Sequence, residues 1–289
     1  MTPLANILLP VDFSERSAAA GRYAKVFACR FKGEVTMLHA LPPLDALYGM
    51  ELGYTGLGEF IEHRKADAQR TLDDFLADEF GSLPVDRVLV EGDPAIEIVR
   101  VAHEGNYDLV VMPTHGYGPF RRFVLGSVTA KVLHDTDCPV LTGTHLAEIG
   151  PATPIFFRNI VCAVDLGPQS GQALAVAAHL AHEFHAKLTL VHALPPIAAG
   201  VARYFDAELQ LQLEKDARER LLELAMEARV SPDFVVEHGE VPAVVKSAAE
   251  SVNADLAVIG RHHGSGVLGR LRAHGYSIVR ESPCPVLSV

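Results

Sequence analysis

The chain carries one pattern twice, and that repeat limits its possible folds more than any other feature. NILLPVDFSERSAAA at 6–20 lines up with NIVCAVDLGPQSGQA at 159–173, and LHALPP at 38–43 with VHALPP at 191–196. The two pairs share one offset of 153 residues (159 − 6 and 191 − 38). EGDPAIEIVRVA at 91–102 then matches HGEVPAVVKSAA at 238–249, YDLVVMPTHG at 107–116 matches ADLAVIGRHHG at 254–264, and CPVL closes both halves at 138–141 and 284–287. A unit of roughly 140 residues is a whole domain, not a solenoid repeat. We therefore expect two domains, 1–145 and 156–289. The linker is expected at about 143–154, where GTHLAEIGPATP replaces periodic sequence with Gly, Thr and Pro.

Each half alternates short apolar runs with helical patterns. In the first, 7–10 reads as a strand ending at Pro10, and Ser14 as the N-cap of a helix with Glu15 in its first turn. Residues 34–40 form the next strand, stopped by Pro42 and Pro43, and 59–80 a helix closed by Gly81. A third strand covers 85–90. Asp93 and Pro94 start a helix whose buried face should carry Ile96, Val99, Ala102 and His103. A fourth strand at 109–112, a Gly-rich loop, a helix from Ser127 and a last strand at 139–141 complete the unit. Short apolar strands alternating with helices imply an α/β fold with a parallel sheet covered on both faces.

Composition narrows the function. Hydrophobic residues make up 49% and charged residues 21%, which excludes a disordered chain. Twenty-five Lys and Arg against 36 Asp and Glu give a net charge of −11, poor for a dedicated nucleic-acid binder. No apolar run approaches the ~20 residues of a membrane span, and MTPLANILLPVDF has neither the basic lead nor the cleavage site of a signal peptide. Cys29, Cys138, Cys162 and Cys284 are far apart and form no C-x-x-C pair, so the expected setting is the reducing cytoplasm. Cys138 and Cys284, each before Pro, read as small buried core residues.

In a doubly wound sheet, ligands sit beyond the carboxyl ends of the strands. Asp12 follows the first strand there. Thr114, His115 and Gly116 follow the fourth, and nine residues later (117–125) come Gly126 and Ser127 at a helix start. Gly116 and Gly118 allow backbone amides close to a phosphate, and a helix N-terminus supplies free N–H groups at its positive end. Arg121, Arg122 and Lys131 add positive charge. The same residues also suit a plain chain turn and a capped helix.

The stretches ILLPVDFSERSAAA, LHALPP, VEGDPAIEIVRVA and MPTHGYGPFRRFVLGSVTAKVLHDTDCPVL resemble the universal stress protein family, over almost the whole chain and twice. Its nucleotide-binding members carry Gly, two residues, Gly, nine residues, then Gly-Ser or Gly-Thr. Gly116 and Gly126-Ser127 match the later elements. The resemblance implies two Rossmann-like domains, each a five-stranded parallel sheet in the order 3-2-1-4-5. It implies ATP, alone or with Mg2+, held by Asp12 near the nucleoside, by backbone around Ala40 near the base, and by Gly116, Gly126, Ser127 and Val128 at the phosphates. Pro10, Pro113, His115 and Arg122 adjoin these positions and complete the expected contact set. Pro113 departs from the pattern: it replaces the first Gly, lacks an N–H and fixes φ near −65°.

The second half departs further. Gly260 keeps the first position, but Arg272 and Ala273 stand where Gly126 and Ser127 stand in the first half. Gly264, Gly266 and Gly269 keep that loop pliable, and Arg261, Arg270 and Arg272 keep it basic. This half reads as a degenerate nucleotide site, suited to domain pairing or to another anion. Asp165 matches Asp12. His39 and His192, at strand ends, read as structural. His179, His182, Glu183 and His185 spiral around a helix without an HExxH pattern, and read as surface residues rather than metal ligands. His262 and His263, with His274, form a second candidate group, for a metal or an anion.

The expected function is a nucleotide-binding stress-response or regulatory module, binding rather than turning over ATP, with at most slow hydrolysis and no catalytic residue. The alternative is a partner-binding stress protein that has lost its nucleotide. No Walker-type GxxxxGK[ST], Ser-Gly-Gly-x-Asp-Ser or His-x-Gly-His occurs, which argues against phosphate-transfer and adenylate-transfer enzymes. The two domains are expected to pack as an intrachain pseudo-dimer, and two chains as a homodimer. Light scattering checks the latter: twice the 31.2 kDa chain mass is expected, and a single chain mass contradicts it. Residues 1–148 alone should self-associate or precipitate, and a well-behaved monomeric fragment of unchanged stability would contradict the pairing.

Overall fold

The structure is a computed structural model and describes residues 4–43, 57–115, 125–143, 149–167, 170–195, 207–261 and 273–289. It divides into two compact units, one of residues 1–142 with 146–155, the other of 143–145 with 156–289. The first unit runs β1 (Asn6–Pro10), α1 (Glu15–Phe31), β2 (Glu34–Leu41), α2 (Leu57–Asp74), α3 (Ala77–Phe80), β3 (Val85–Glu91), α4 (Pro94–Glu104), β4 (Leu109–Val111), α5 (Ser127–Asp135) and β5 (Val140–Thr142). Its strands lie in the order β3-β2-β1-β4-β5, all parallel. The second unit repeats the plan with β6 (Asn159–Ala163), α6 (Ser170–Phe184), β7 (Lys187–Leu194), α7 (Ala207–Glu227), β8 (Asp233–His238), α8 (Val241–Ser251), β9 (Leu256–Ile259), α9 (Ala273–Glu281) and β10 (Val286–Ser288). Its strands read β8-β7-β6-β9-β10, the same order.

Burial follows from the pattern. Ile7, Leu8, Leu9, Leu109, Val110 and Val111 are completely buried, as strands covered by helices on both faces must be. Ser14 caps α1, its side chain accepting from the Ser17 N–H, and Asp93 caps α4 by accepting from the N–H groups of Ala95 and Ile96. Three expectations need correction. The helix expected over 59–80 is two helices, broken where Leu76 adopts a left-handed φ of 56°. The buried face of α4 is Ala95, Ile98 and Ala102, not the stripe through Ile96 and Val99; Ile96 is 55% exposed. Cys138 is only half-buried, because it lies in the turn before β5 begins pairing, while Cys284 is buried as expected. In the second half α6 ends at Phe184, which leaves His185 beyond it at a left-handed φ of 54°.

An aspartate pins the amino end of each sheet. Asp108 Oδ2 accepts from the N–H groups of Ala5 and Asn6 at 3.3 and 3.0 Å, and Asp255 Oδ2 accepts from those of Arg158 and Asn159 at 2.7 and 2.9 Å. Each carboxylate thus ties the entry of the central strand to the entry of its neighbour, which gives the repeated Asp-Leu pair a structural role. Charge-assisted bonds of this kind contribute about 1.5–3 kcal/mol. Asp108→Ala is expected to lower unfolding stability by roughly that amount in a urea titration, with the fold retained.

Candidate functional site

In each unit the strand order reverses beside the central strand, so the candidate site lies beyond the carboxyl ends of β1 and β4 in the first unit. Asp12 sits just past β1. Its Oδ1 accepts from the Ser14 N–H at 3.1 Å, from Ser14 Oγ at 2.5 Å and from Ser17 Oγ. Phe13, the next residue, is held at a φ of 63°. Asp165 repeats this turn, accepting from the Gly167 N–H at 2.8 Å and from Ser170 Oγ at 2.9 Å, with Leu166 at a φ of 60°. In both units, then, the aspartate also fastens a strained turn to the following helix.

The other wall is the turn after β4. Pro113 and Thr114 are buried, and two bonds fasten them to α5. The Gly126 N–H donates to the Thr114 carbonyl at 2.8 Å, and Thr129 Oγ donates to the Pro113 carbonyl at 2.9 Å. A Cβ on Gly126 would lie 3.0 Å from that Thr114 oxygen, so glycine permits a close approach that a side chain would push apart by a few tenths of an ångström; its φ of −64° suits any residue. Gly126, not Ser127, is the N-cap, and no side chain caps α5. The half-buried Val128 and exposed Ser127 therefore begin a helix whose leading N–H groups lack a side-chain partner. Lys131, one turn on, is paired with Asp135 at 2.9 Å.

Gly260 clarifies Pro113. It occupies the same place in the second unit and is not among the glycines with positive φ. The fixed φ of proline therefore does not conflict with this turn, and what Pro113 removes is one donor. Gly116 and Arg122 lie outside the described residues, as do Gly118, Arg121, Gly264, Gly266, Gly269, Arg270, Arg272, His262 and His263. Arg261 is buried, and its N–H donates to the Val289 carbonyl at 2.6 Å. Among the described residues no group of three or more His, Cys, Asp and Glu is placed to hold a metal.

Pro10 and Ala40 are buried at the ends of β1 and β2. Beside them His39 Nδ1 donates to the Val11 carbonyl at 2.8 Å, and its ring stacks on Phe13 with centroids 4.3 Å apart. Phe13 in turn meets Phe75 edge-on at 5.5 Å. The sequence offered no sign of this aromatic group, since Phe75 arrives from α2's far end. His192 Nδ1 makes the same bond to the Val164 carbonyl at 2.8 Å. Burial pushes the His39 pKa below the ordinary 6.5, opposed by its bond to Val11 and the Asp12 charge and reinforced by Arg64. Burial, with Arg16 nearby, lowers that of His115, whose Nδ1 lies 3.0 Å from Thr114 Oγ.

Two doubly wound α/β units, each with an acidic turn after its first strand and a candidate ligand site at its strand ends, define the class of protein. The model of the universal stress protein family matches residues 4–142 and 156–289, and the chain belongs to that family. A universal stress protein of Methanocaldococcus jannaschii is 28% identical over 149 residues, 47% of this chain and 92% of that protein. A second from the same organism is 35% identical over 139 residues, 47% of this chain and 79% of that protein. Over the full length, the crystal structure of a universal stress protein from Archaeoglobus fulgidus has the same fold, with a TM-score of 0.75 at 22% identity, covering 100% of this chain and 98% of that one. Among the described residues no helix is long and apolar enough to cross a membrane.

The lowered histidines set a pH dependence. A histidine whose folded pKa lies below its unfolded value binds fewer protons when folded. Its contribution to stability is complete above pH 6.5 and is lost as pH falls through the folded pKa. Melting temperature should therefore fall as pH drops below 6.5. His39→Asn, which keeps a donor for the Val11 carbonyl, should flatten that fall, leaving the His115 share; an unchanged slope would show that His39 does not drive it.

Proposed function

We propose that the first unit binds ATP beyond the ends of β1 and β4, and that the chain acts as a nucleotide-responsive stress or regulatory module rather than as a catalyst. The observation that carries this reading is the Gly126 cradle. Its missing Cβ leaves the Thr114 turn against the start of α5, and the helix presents uncapped N–H groups to a phosphate. In this reading Ser127 and Val128 meet the phosphates, with Gly116 and Arg122 from the sequence between β4 and α5. Asp12 and the backbone at Ala40 face the nucleoside, and His115 and Pro113 close the turn. None of the four cysteines, all of them described, forms a disulfide, and burial pushes the Cys162 thiol up to about 12. A buried, protonated Cys162 is unreactive, and cysteines without a disulfide suit the reducing cytoplasm.

Titration calorimetry with ATP should give a stoichiometry near one per chain. Gly126→Val should abolish binding, because its side chain enters the space between the Thr114 carbonyl and the ligand. Ser127→Ala should weaken binding by about 0.5–3 kcal/mol, according to the charge on its partner. A stoichiometry near two, or a Gly126→Val variant that binds as well as the parent, would overturn the assignment. A second reading, a partner-binding protein without nucleotide, draws support from Asp12, whose Oδ1 already serves Ser14 and Ser17, and from the donor missing at Pro113. Absence of binding heat would favour it.

A further inference from the structure

In the first unit two neighbouring cations of α2 hold two acceptors at the ends of β2 and β3. Lys65 pairs with Glu91, the last residue of β3, and Arg64 donates to the Pro42 carbonyl just past β2. The bond to Glu91 raises the Lys65 pKa, so the lysine keeps its charge through the neutral range. The second unit fills the same two positions differently. Pro195 stands where Pro42 stands, and His238, in register with Leu194 as Glu91 is with Leu41, stands where Glu91 stands. The acid now comes from the helix: Glu214 of α7 faces His238, with Oε1 3.6 Å from Nε2. The ion pair is turned around, with its base on the strand and its acid on the helix, and the base is a histidine.

His238 also takes over the bond to the proline carbonyl. A carbonyl only accepts, so Nδ1, 3.2 Å from the Pro195 oxygen, carries a proton. Nε2 is buried and has no hydrogen-bond partner among the described residues. In the neutral ring Nε2 is itself an acceptor, and beside a carboxylate, which also only accepts, the two repel. In the protonated ring both nitrogens donate, Nδ1 to the end of β7 and Nε2 towards Glu214, and the positive charge draws the carboxylate in. The side chains of His238 and Glu214 are 20% and 38% exposed, so solvent weakens this attraction without cancelling it. The other charged or titratable groups of the adjoining segments have other places. Glu237 alternates to the opposite face of β8, Glu240 heads α8, His192 of β7 is bonded to the Val164 carbonyl, and Arg218, one turn after Glu214, is exposed.

We propose that His238 and Glu214 form a proton-operated clasp that fastens α7 to the ends of β7 and β8, closed in mild acid and released at neutral to alkaline pH. The inference is independent of the ATP reading of the first unit. Hydrogen exchange of the full chain, read by mass spectrometry at about pH 5.5 and about pH 8 and corrected for the intrinsic pH dependence of exchange, follows the clasp across the interval in which histidine changes charge. Protection of α7 should be about two- to fivefold higher at the lower pH, and that of α2 should not rise. The effect of His39 and His115 runs the other way, towards lost protection in acid, so it cannot imitate this gain. Glu214→Gln should erase the gain. Glu214→Lys combined with His238→Glu, which installs the first unit's order of charges, should leave α7 equally protected at both pH values. Far-ultraviolet circular dichroism should be unchanged in both variants, and the double variant decides the matter if Glu214→Gln disturbs folding. The proposal is overturned if α7 of the parent gains no protection in acid, or if either variant keeps the gain.

Discussion

The backbone groups of Ile7–Leu9 and Leu109–Val111 lie where no water reaches, and they must find partners within the protein or cost several kcal/mol each. A parallel ladder satisfies them, and a parallel ladder needs a crossover helix between successive strands. Helices then cover both faces, and every strand ends on the same edge of its sheet. That edge is where Asp12, Pro113 and Gly126 converge in the first unit, and where Asp165, His192 and Gly260 stand in the second. The site follows from the obligation to pair buried amides.

On this common frame the two units differ at the turn after their fourth strand. In the first, Thr129 and Gly126 bond to the carbonyls of Pro113 and Thr114, so the turn is closed by the helix that follows it. In the second, Gly260 and an alanine-led helix accompany an aliphatic cavity. The aspartate turn is the same in both, down to the left-handed residue after it. What was duplicated is the scaffold with its strained turn, and what diverged is the sequence around the next helix start, Gly126-Ser127 against Arg272-Ala273.

Much of this was legible in the sequence because it is written locally. Ser14, Asp93 and Gly81 cap helices by interactions within a few residues, and the apolar runs of β1 and β4 announce burial on both faces. The break at Leu76 was hidden because a left-handed leucine carries no glycine to advertise it. Ile96 misled because its apolar character suggests a core face, whereas packing selected the neighbouring Ala95–Ile98–Ala102 stripe. At the site, Gly126 could be found by spacing. Its bond to Thr114, the Thr129 bond to Pro113 and the Phe13–His39–Phe75 group join residues between 12 and 62 positions apart, and no local pattern records such contacts.

Arg22 gives the linker a place in the first unit. It pairs with Glu79 at 2.8 Å and donates to the Ile149 carbonyl at 2.6 Å, so the chain beyond β5 is gathered back onto α1. Every strand and helix described in that unit, and the segment that Arg22 fastens, precedes residue 156. During synthesis at about 5–20 residues per second, the remaining 134 residues (289 − 155) occupy the ribosome for roughly 7–27 s. The first unit can thus leave the exit tunnel and close its sheet while its twin is still being translated. Two sets of strands laid out in the same order then emerge at different times, so each sheet can form from the strands nearest to it in the chain.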